Sequence, residues 1–190
     1  MKHALLLALL LLAAAGTASA QQRRPPSPPE PEKADKAEKP GECGALPKDW
    51  SGEAYARDGI TLGGVGLKPQ IRLWGLQAGE LRDRHTGLET VSGMQARGAL
   101  EDMLEKSEHK VKCRPARWDR ECRLVAQCMV ETAPAPIDLG GYMLASGMAY
   151  AFQLDEALPW EPRSSQRYAG AEADARKAKR GLWPVWLGEK

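Results

Sequence analysis

This sequence of 190 residues contains little phenylalanine, carries a small net charge and has few long apolar runs. Phenylalanine occurs once, and 27 Lys and Arg residues against 25 Asp and Glu residues leave a formal net charge of +2. This balance excludes the strongly basic surface of a protein that coats DNA, so any nucleic-acid site must be a local patch. No apolar run after residue 20 is long enough to span a bilayer, which excludes an integral membrane protein.

The first 20 residues have the features of a secretion signal. Lys2 and His3 precede an apolar run over residues 4–15, and residues 18–20 (Ala-Ser-Ala) offer small side chains for signal peptidase, so cleavage is predicted after Ala20. An uncleaved anchor is the alternative, although the run is short for one. The mature chain is therefore predicted to be exported, either periplasmic or secreted, with no membrane span after cleavage and with its four cysteines in an oxidising compartment.

Residues 21–47 differ in composition from the rest of the chain. Six prolines lie between Pro25 and Pro40, charges alternate in sign, and large apolar side chains are missing over most of the segment. This composition predicts a solvated, disordered tether, with a ligand for a proline-binding groove as the alternative. Residues 48–190 have a globular composition and a length suited to one domain.

The globular part is predicted to begin with strands. Residues 54–62 and 65–74 are separated by Gly63-Gly64, which favours an antiparallel hairpin. A further strand near residues 110–113 turns through residues 114–120 into a strand over residues 123–130.

Three helices are predicted around these strands. The first begins at a capping box of Ser92 and Gln95, the second begins at Asp138 and ends at Gly147, and the third covers about residues 165–180. This order of elements predicts a small barrel closed by helices. The apolar stripes of the first two helices are predicted to be Ala96, Leu100, Met103 and Leu104, and Leu139, Met143 and Leu144.

Several segments in order resemble the thermonuclease (staphylococcal nuclease-like) family in its exported bacterial type. RDGITL at residues 57–62 and IRLWGLQAGE at residues 71–80 are similar to the DGDT and RLxGIDAPE motifs, and DRECRLVA at residues 119–126 is similar to DRYGRxVA. GMQA at residues 93–96 and the pattern YxxxExxARxxxxGLW at residues 168–183 also match. The resemblance covers about residues 53–183 and implies an α+β, mainly β fold: a five-stranded OB-fold β-barrel capped by about three helices.

The resemblance also implies roles for three side chains. Hydrolysis of a phosphodiester needs positive charge around the phosphate and an activated water. Arg72 and Arg123 stand at the family's phosphate-binding arginines, and Glu80 stands at the carboxylate that orients the water. From the residues alone, without the resemblance, a structural arginine paired with Glu80 or Asp58 is the favoured interpretation of Arg72.

The calcium ligands that the family uses are replaced here. Two carboxylate positions hold Ile60 and Gln77, and the neighbouring Ala78 offers only its backbone carbonyl. Calcium prefers several oxygen ligands with carboxylate charge. The sequence therefore predicts no cofactor: weak or absent calcium binding and weak or lost calcium-dependent hydrolysis. A metal-altered phosphodiesterase would need a replacement carboxylate from Asp58, Asp83 or Asp102.

A non-catalytic OB-fold module is the alternative function. Its partner would be single-stranded nucleic acid, another polyanion or a protein. Trp118 could stack on a base or seal the barrel, and Arg120 belongs to a basic stretch interspersed with acidic residues. His85 and His109 have no metal-ligand spacing and are predicted to lie on the surface.

The four cysteines allow three disulfide pairings, and the sequence alone does not choose among them. The resemblance to exported members implies a bond between Cys113 and Cys128. Cys43 and Cys122 would then remain for a second bond beside Arg123.

Overall fold

The computed structural model describes residues 43–64 and 68–188. The predicted signal sequence, most of the predicted tether and residues 65–67, at the start of the second predicted strand, lie outside the described residues. None of the described helices is long and apolar enough to cross a membrane.

A curled sheet forms the centre of the domain, in the strand order β1-β6-β7-β4-β3-β2. All neighbours on this path pair antiparallel except β4 and β7, which are parallel; β8 pairs with β7, and β5 pairs with β9 in a small second sheet. The strands are β1 Trp50–Glu53, β2 Tyr55–Ala56, β3 Thr61–Gly63, β4 Ile71–Leu73, β5 Leu76–Gln77, β6 Lys110–Trp118, β7 Leu124–Val130, β8 Ile137–Asp138 and β9 Tyr150–Ala151.

Helices cover this sheet. They are α1 Val91–Glu105, α2 Leu139–Ala145, α3 Ser164–Lys177 and the short α4 Trp183–Trp186. The core between helices and sheet includes Trp74 and Tyr168, whose ring centroids lie 5.0 Å apart. A half-barrel of strands with helices around it is the OB-fold α+β architecture that the sequence predicted.

The first predicted strand is wrong in extent because a turn interrupts it. The Oδ1 atom of Asp58 accepts hydrogen bonds from the backbone N–H groups of Ile60 (2.8 Å) and Thr61 (2.7 Å). This Asx-type turn splits the segment into β2 and β3, which form a hairpin of their own. The predicted antiparallel pairing of the following strand holds, since β3 pairs antiparallel with β4.

The turn predicted over residues 114–120 is also shorter. Strand β6 continues to Trp118 and pairs with β7 up to Leu124, with a register shift between Pro115 and Arg117. Proline has no N–H to donate to a ladder, so a bulge lets the strand continue past Pro115.

The predicted apolar faces of α1 and α2 are buried as expected. The predicted start of α1 at Ser92 is wrong, because Thr90 is the N-cap and its side chain accepts from the Gly93 N–H at 3.0 Å. Helix α2 does begin after Asp138, and Gly147 beyond it has φ of 72°. Strands β1, β5, β8 and β9 and helix α4 were not predicted.

Both disulfides named in the sequence analysis are present. Cys113 and Cys128 lie opposite each other on β6 and β7, with 4.1 Å between Cα atoms. Cys43 pairs with Cys122 across a sequence separation of 79, with 5.2 Å between Cα atoms. The second bond ties the first described residue of the chain to the turn between β6 and β7.

Candidate functional site

One cavity of about 360 Å³ is lined by most of the side chains that the sequence singled out. Strand alternation explains how Arg72 reaches it: Ile71 and Leu73 are buried in the core, so Arg72 between them lies on the opposite face of β4. The lining includes Arg72, Glu80 and Arg123, together with Asp58, Ile60, Gln77 and Ala78.

The parallel pairing of β4 with β7 brings the two arginines to one place. Ile71 is paired with Leu124 in this register, and Arg123 directly precedes Leu124. A backbone hydrogen bond of 2.9 Å from Leu124 N to the Gln70 carbonyl extends the pairing by one step. Two guanidinium groups about 50 residues apart in sequence therefore line the same cavity.

Arg72 carries positive charge in a half-buried position. Its Nη2 donates to the Oε1 of Gln77 at 2.5 Å. Burial lowers the pKa of Arg72, and the nearby positive charge of Arg123 lowers it further, while Asp119 and Asp58 oppose the shift. The guanidinium stays protonated because the ordinary arginine pKa is so high.

Arg123 is held by the turn that leads into β7. Its Nε donates to Asp119 Oδ2 at 2.7 Å, and its Nη1 lies 3.1 Å from Glu121 Oε2. Asp119 Oδ1 also accepts from the backbone N–H groups of Glu121 and Arg123, both at 2.9 Å. Asp119 thus fixes both the turn and the arginine that the turn presents.

These hydrogen bonds determine the charge state of Asp119. Burial by itself would raise the pKa of Asp119, but the hydrogen bonds from Arg123 and Glu121 outweigh burial and hold the pKa below its ordinary value. A lowered folded-state pKa stabilises the fold above the unfolded-state pKa, and this stabilisation is lost as the pH falls through the folded-state value.

We expect Asp119→Asn to lower the free energy of unfolding at neutral pH, with the difference from the parent chain shrinking below about pH 5. Urea unfolding at a series of pH values measures this. Glu105→Gln, at an exposed position on α1, is the matched control. A difference that stays constant into acid would contradict a stabilising role for the Asp119 charge.

Glu80 lies at the rim of the cavity on the loop after β5. Its side chain is 42% exposed, and both carboxylate oxygens contact Arg84, through Nε at 2.9 Å and through Nη2. The expectation that Arg72 pairs with Glu80 or Asp58 is therefore wrong: Arg72 donates to Gln77, and Glu80 is paired with Arg84.

The positions around the two arginines offer few free carboxylate oxygens. Ile60 is 5% exposed and places an aliphatic side chain in the lining. Asp58 and Glu80 are the acidic residues of the described lining, while Asp83 bonds within its own loop and the exposed Asp102 is not part of the lining. Over residues 43–64 and 68–188, no group of three or more His, Cys, Asp or Glu residues could hold a metal ion.

A second depression of about 660 Å³ adjoins the first, and both include Arg72 and Arg123 in their linings. Trp118 and Phe152 supply aromatic surface there, and Phe152 is 43% exposed. The Nε1 of Trp118 donates to the carbonyl of Gly44 at 3.1 Å. We call the two depressions together the arginine groove. The other arginines of its lining are Arg57 and Arg82 in the first depression, and Arg117 and the exposed Arg120 in the second.

Sequence analysis missed Phe152 and misjudged His109. Phe152 follows β9, and its N–H donates to the Gly75 carbonyl at 3.0 Å, so a long-range contact places it in the groove. His109 is only 21% exposed: it stacks on Tyr55 at 4.2 Å and its Nε2 lies 2.9 Å from Glu101 Oε1. His109 is not part of the groove lining.

The fold and the groove define the class of protein as an OB-fold domain with a paired-arginine groove. The chain matches the family model described as staphylococcal nuclease homologue (SNase) over residues 70–185, which is more than half of its length. It belongs to this family. Arg72, Glu80 and Arg123 lie within the matched residues, and Asp58 and Ile60 precede them. No curated protein matches the chain.

Proposed function

We propose that this chain is an exported SNase-family domain that binds single-stranded nucleic acid in the arginine groove, with calcium-dependent hydrolysis weak or lost. The observation that carries the proposal is the shared lining: Arg72 and Arg123 lie where the two depressions meet, beside Trp118 and Phe152. A polyanion with stackable bases satisfies both features.

The two guanidinium groups supply the phosphate contacts. A planar guanidinium can donate two hydrogen bonds to one phosphate, and such charge-assisted bonds are among the strongest in proteins. Burial and then the positive charge of Arg123 lower the pKa of Arg72, so the two arginines are close enough for an anion between them to neutralise their charge. Each arginine already donates to a protein oxygen, so phosphate would compete with Gln77 and Asp119 for them.

The aromatic side chains favour a single strand over a duplex. Bases stack on exposed aromatic rings when they are not paired, and each stack contributes about 1–3 kcal/mol. Phe152 offers an exposed ring, and Arg117 and Arg120 add positive charge on the same side of the arginine pair. Polyphosphate would make the charge contacts without the stacking. Competition with polyphosphate therefore separates recognition of charge from stacking of bases.

We expect hydrolysis to be weak or lost because of the residues at the positions that would coordinate calcium. Gln77 contributes a neutral amide whose oxygen accepts from Arg72, and Ile60 contributes no ligand. Glu80 is engaged by Arg84 rather than left open toward a water. These residues do not fit a hard cation that needs several anionic oxygens.

Export is part of the proposal. The two disulfides suit an oxidising compartment, which agrees with a signal sequence over residues 1–20 and a tether over residues 21–47. The folded part would then begin near Cys43 rather than at residue 48, because the Cys43–Cys122 bond joins it to the domain.

We expect Arg72→Ala to weaken binding of a fluorescein-labelled oligothymidylate about ten- to a hundred-fold, because a charge-assisted bond is lost. Fluorescence anisotropy at several salt concentrations measures this, and the salt slope should fall as a phosphate contact is removed. Arg163→Ala removes the same charge from an exposed position outside the groove and should leave binding unchanged. Equal affinities for the two variants would contradict the proposal.

The same oligonucleotide tests hydrolysis with calcium, magnesium, manganese or chelator. We expect no cleavage above background in any condition. Cleavage that disappears in both Glu80→Gln and Arg72→Ala would instead establish a working nuclease.

A phosphodiesterase with an altered metal site is the second candidate, because Asp58 lines the same cavity as Glu80. Its Oδ1 is used by the turn, so one carboxylate oxygen at most would face a metal. Metal-dependent cleavage abolished by Asp58→Asn would support this candidate over the first.

A further inference from the structure

Cys122 lies immediately before Arg123 in a backbone conformation that cysteine rarely adopts. Its φ is 52°, in the left-handed region that glycine enters freely and other residues enter at a cost of about 1 kcal/mol or more. Glycine occupies this position in the DRYGR motif that the segment resembles. Something other than intrinsic preference must therefore hold Cys122 in place.

Hydrogen bonds close the turn around Cys122. Asp119 N donates to the Arg123 carbonyl at 3.0 Å, and Cys122 N donates to the Asp119 carbonyl at 3.2 Å. Together with the Asp119 side chain, these bonds define one turn geometry and one direction for Arg123. All of these bonds lie within the five residues 119–123, and such short loops open readily unless a contact from outside the loop holds them.

The disulfide to Cys43 supplies a constraint from outside the turn. Cys43 is followed by Gly44, whose carbonyl accepts from the Trp118 indole at 3.1 Å. Cys122, on one side of the turn, is therefore linked through Cys43 and Gly44 to Trp118, which lies on the other side of the turn at the end of β6. Cys43 and Gly44 also line the depression that contains both arginines.

We propose that the Cys43–Cys122 disulfide is a positioning element of the arginine groove: it holds Cys122 in its left-handed conformation and thereby the turn of residues 119–123 that presents Arg123 to phosphate. The inference rests on the proposed function for its ligand. It assigns the disulfide a role in binding as well as in stability.

The expected effect on affinity follows from the population of the competent turn. If the turn without its disulfide keeps the binding geometry about a tenth of the time, the apparent Kd rises about ten-fold. The test is oligothymidylate binding by the variant in which Cys43 and Cys122 are both replaced by serine. Hydrogen exchange of the amides of residues 119–123 should become faster in the same variant.

Two further variants separate positioning from general stability. The double replacement of Cys113 and Cys128 by serine removes the other disulfide, which joins β6 to β7, and should leave the Kd unchanged while the protein is folded. Cys43→Ser with Cys122→Gly also lacks the Cys43–Cys122 bond but supplies a residue that accepts positive φ. It should recover binding to within about three-fold of the parent chain.

The possible outcomes separate the positioning role of the Cys43–Cys122 disulfide from the proposed binding function. Unchanged affinity and unchanged exchange in the Cys43/Cys122 serine variant would overturn the inference and leave the proposed function standing. If the parent chain does not bind oligothymidylate, the proposed function fails, while exchange over residues 119–123 still tests the positioning role. Should the serine variant not fold, Trp118→Phe, which removes the donor to Gly44 but keeps the disulfide, must still accelerate that exchange.

Discussion

Replacing Ile60 and Gln77 with aspartate is expected to make the thermal stability of the chain depend on calcium, which the parent chain should not show. Both positions line the cavity with Arg72 and Glu80, and both correspond to carboxylates in the motifs that the segment resembles. Two added carboxylates beside Asp58 and Glu80 would supply the anionic oxygens that calcium needs. Without calcium, the substitution at the buried Ile60 should lower stability, because a charge replaces an apolar side chain in the core.

The gain can be estimated from mass action. A ligand present at a hundred times its Kd stabilises the folded state by about 2.7 kcal/mol. Calorimetry with calcium and with chelator measures the difference in Tm. The matched control carries asparagine at both positions, with similar shape and no added charge, and should respond to calcium as the parent does.

Two results would contradict this account of the site. A calcium-dependent rise in the Tm of the parent chain would show that Ile60 and Gln77 do not prevent binding. No response in the aspartate variant, when it is folded, would show that the lost carboxylates are not the deciding difference. Calcium-dependent cleavage of single-stranded DNA by the aspartate variant would extend the result to catalysis.

Loss of either disulfide is expected to lower the free energy of unfolding strongly. Loss of the bond that closes the longer loop should lower it more. Chain-entropy estimates give about 4–5 kcal/mol for the Cys43–Cys122 bond, which spans 79 residues, and about 3 kcal/mol for Cys113–Cys128, which spans 15. Domains of this size are typically stable by about 5–15 kcal/mol, so each serine variant should remain folded near its temperature of maximum stability.

Urea unfolding of the two double serine variants measures both values against the oxidised parent chain. Ser165→Ala, a change at a half-buried position on α3 that removes one hydrogen bond to the Leu154 carbonyl, provides a reference of about 1 kcal/mol. The reverse order of the two disulfide effects, or losses no larger than this reference, would contradict the loop-entropy argument. The low stability of the Cys43/Cys122 variant is the reason that its binding should be compared under strongly native conditions.

Helix α1 shows how far local patterns reach. Its buried face was predictable because Ala96, Leu100 and Leu104 recur at the spacing of one helical face. Its start was not, because Thr90 and Ser92 are both good N-caps. The tertiary structure favours Thr90, whose hydroxyl donates to the Glu80 carbonyl at 2.5 Å across a loop that the sequence does not define.

Gly93 gives a related case. A Cβ at this position would lie 2.3 Å from the Glu80 carbonyl oxygen, so the glycine lets α1 approach the loop that carries Glu80. In the sequence, residues 93–96 stand out only as a segment similar to a family motif. The role of Gly93 in positioning Glu80 depends on a contact between α1 and the loop before it, and the helical pattern of the sequence does not show this contact.

The sequence by itself determined the fold class, the buried faces of α1 and α2, and the candidate side chains Arg72, Glu80 and Arg123. It also showed that Ile60 and Gln77 stand where the motifs that the chain resembles have carboxylates. Helical periodicity and the ordered motifs carry this information, because each depends on residues close together in the chain.

Only the tertiary structure decided the partners of these side chains. Parallel pairing of β4 with β7 brings the two arginines together, and Gln77, Arg84 and Asp119 take the hydrogen bonds that sequence reasoning left open or assigned elsewhere. The choice among three disulfide pairings and the place of Phe152 were decided in the same way. The physical reason is that each depends on the path of the chain between distant segments, and local preferences do not specify that path.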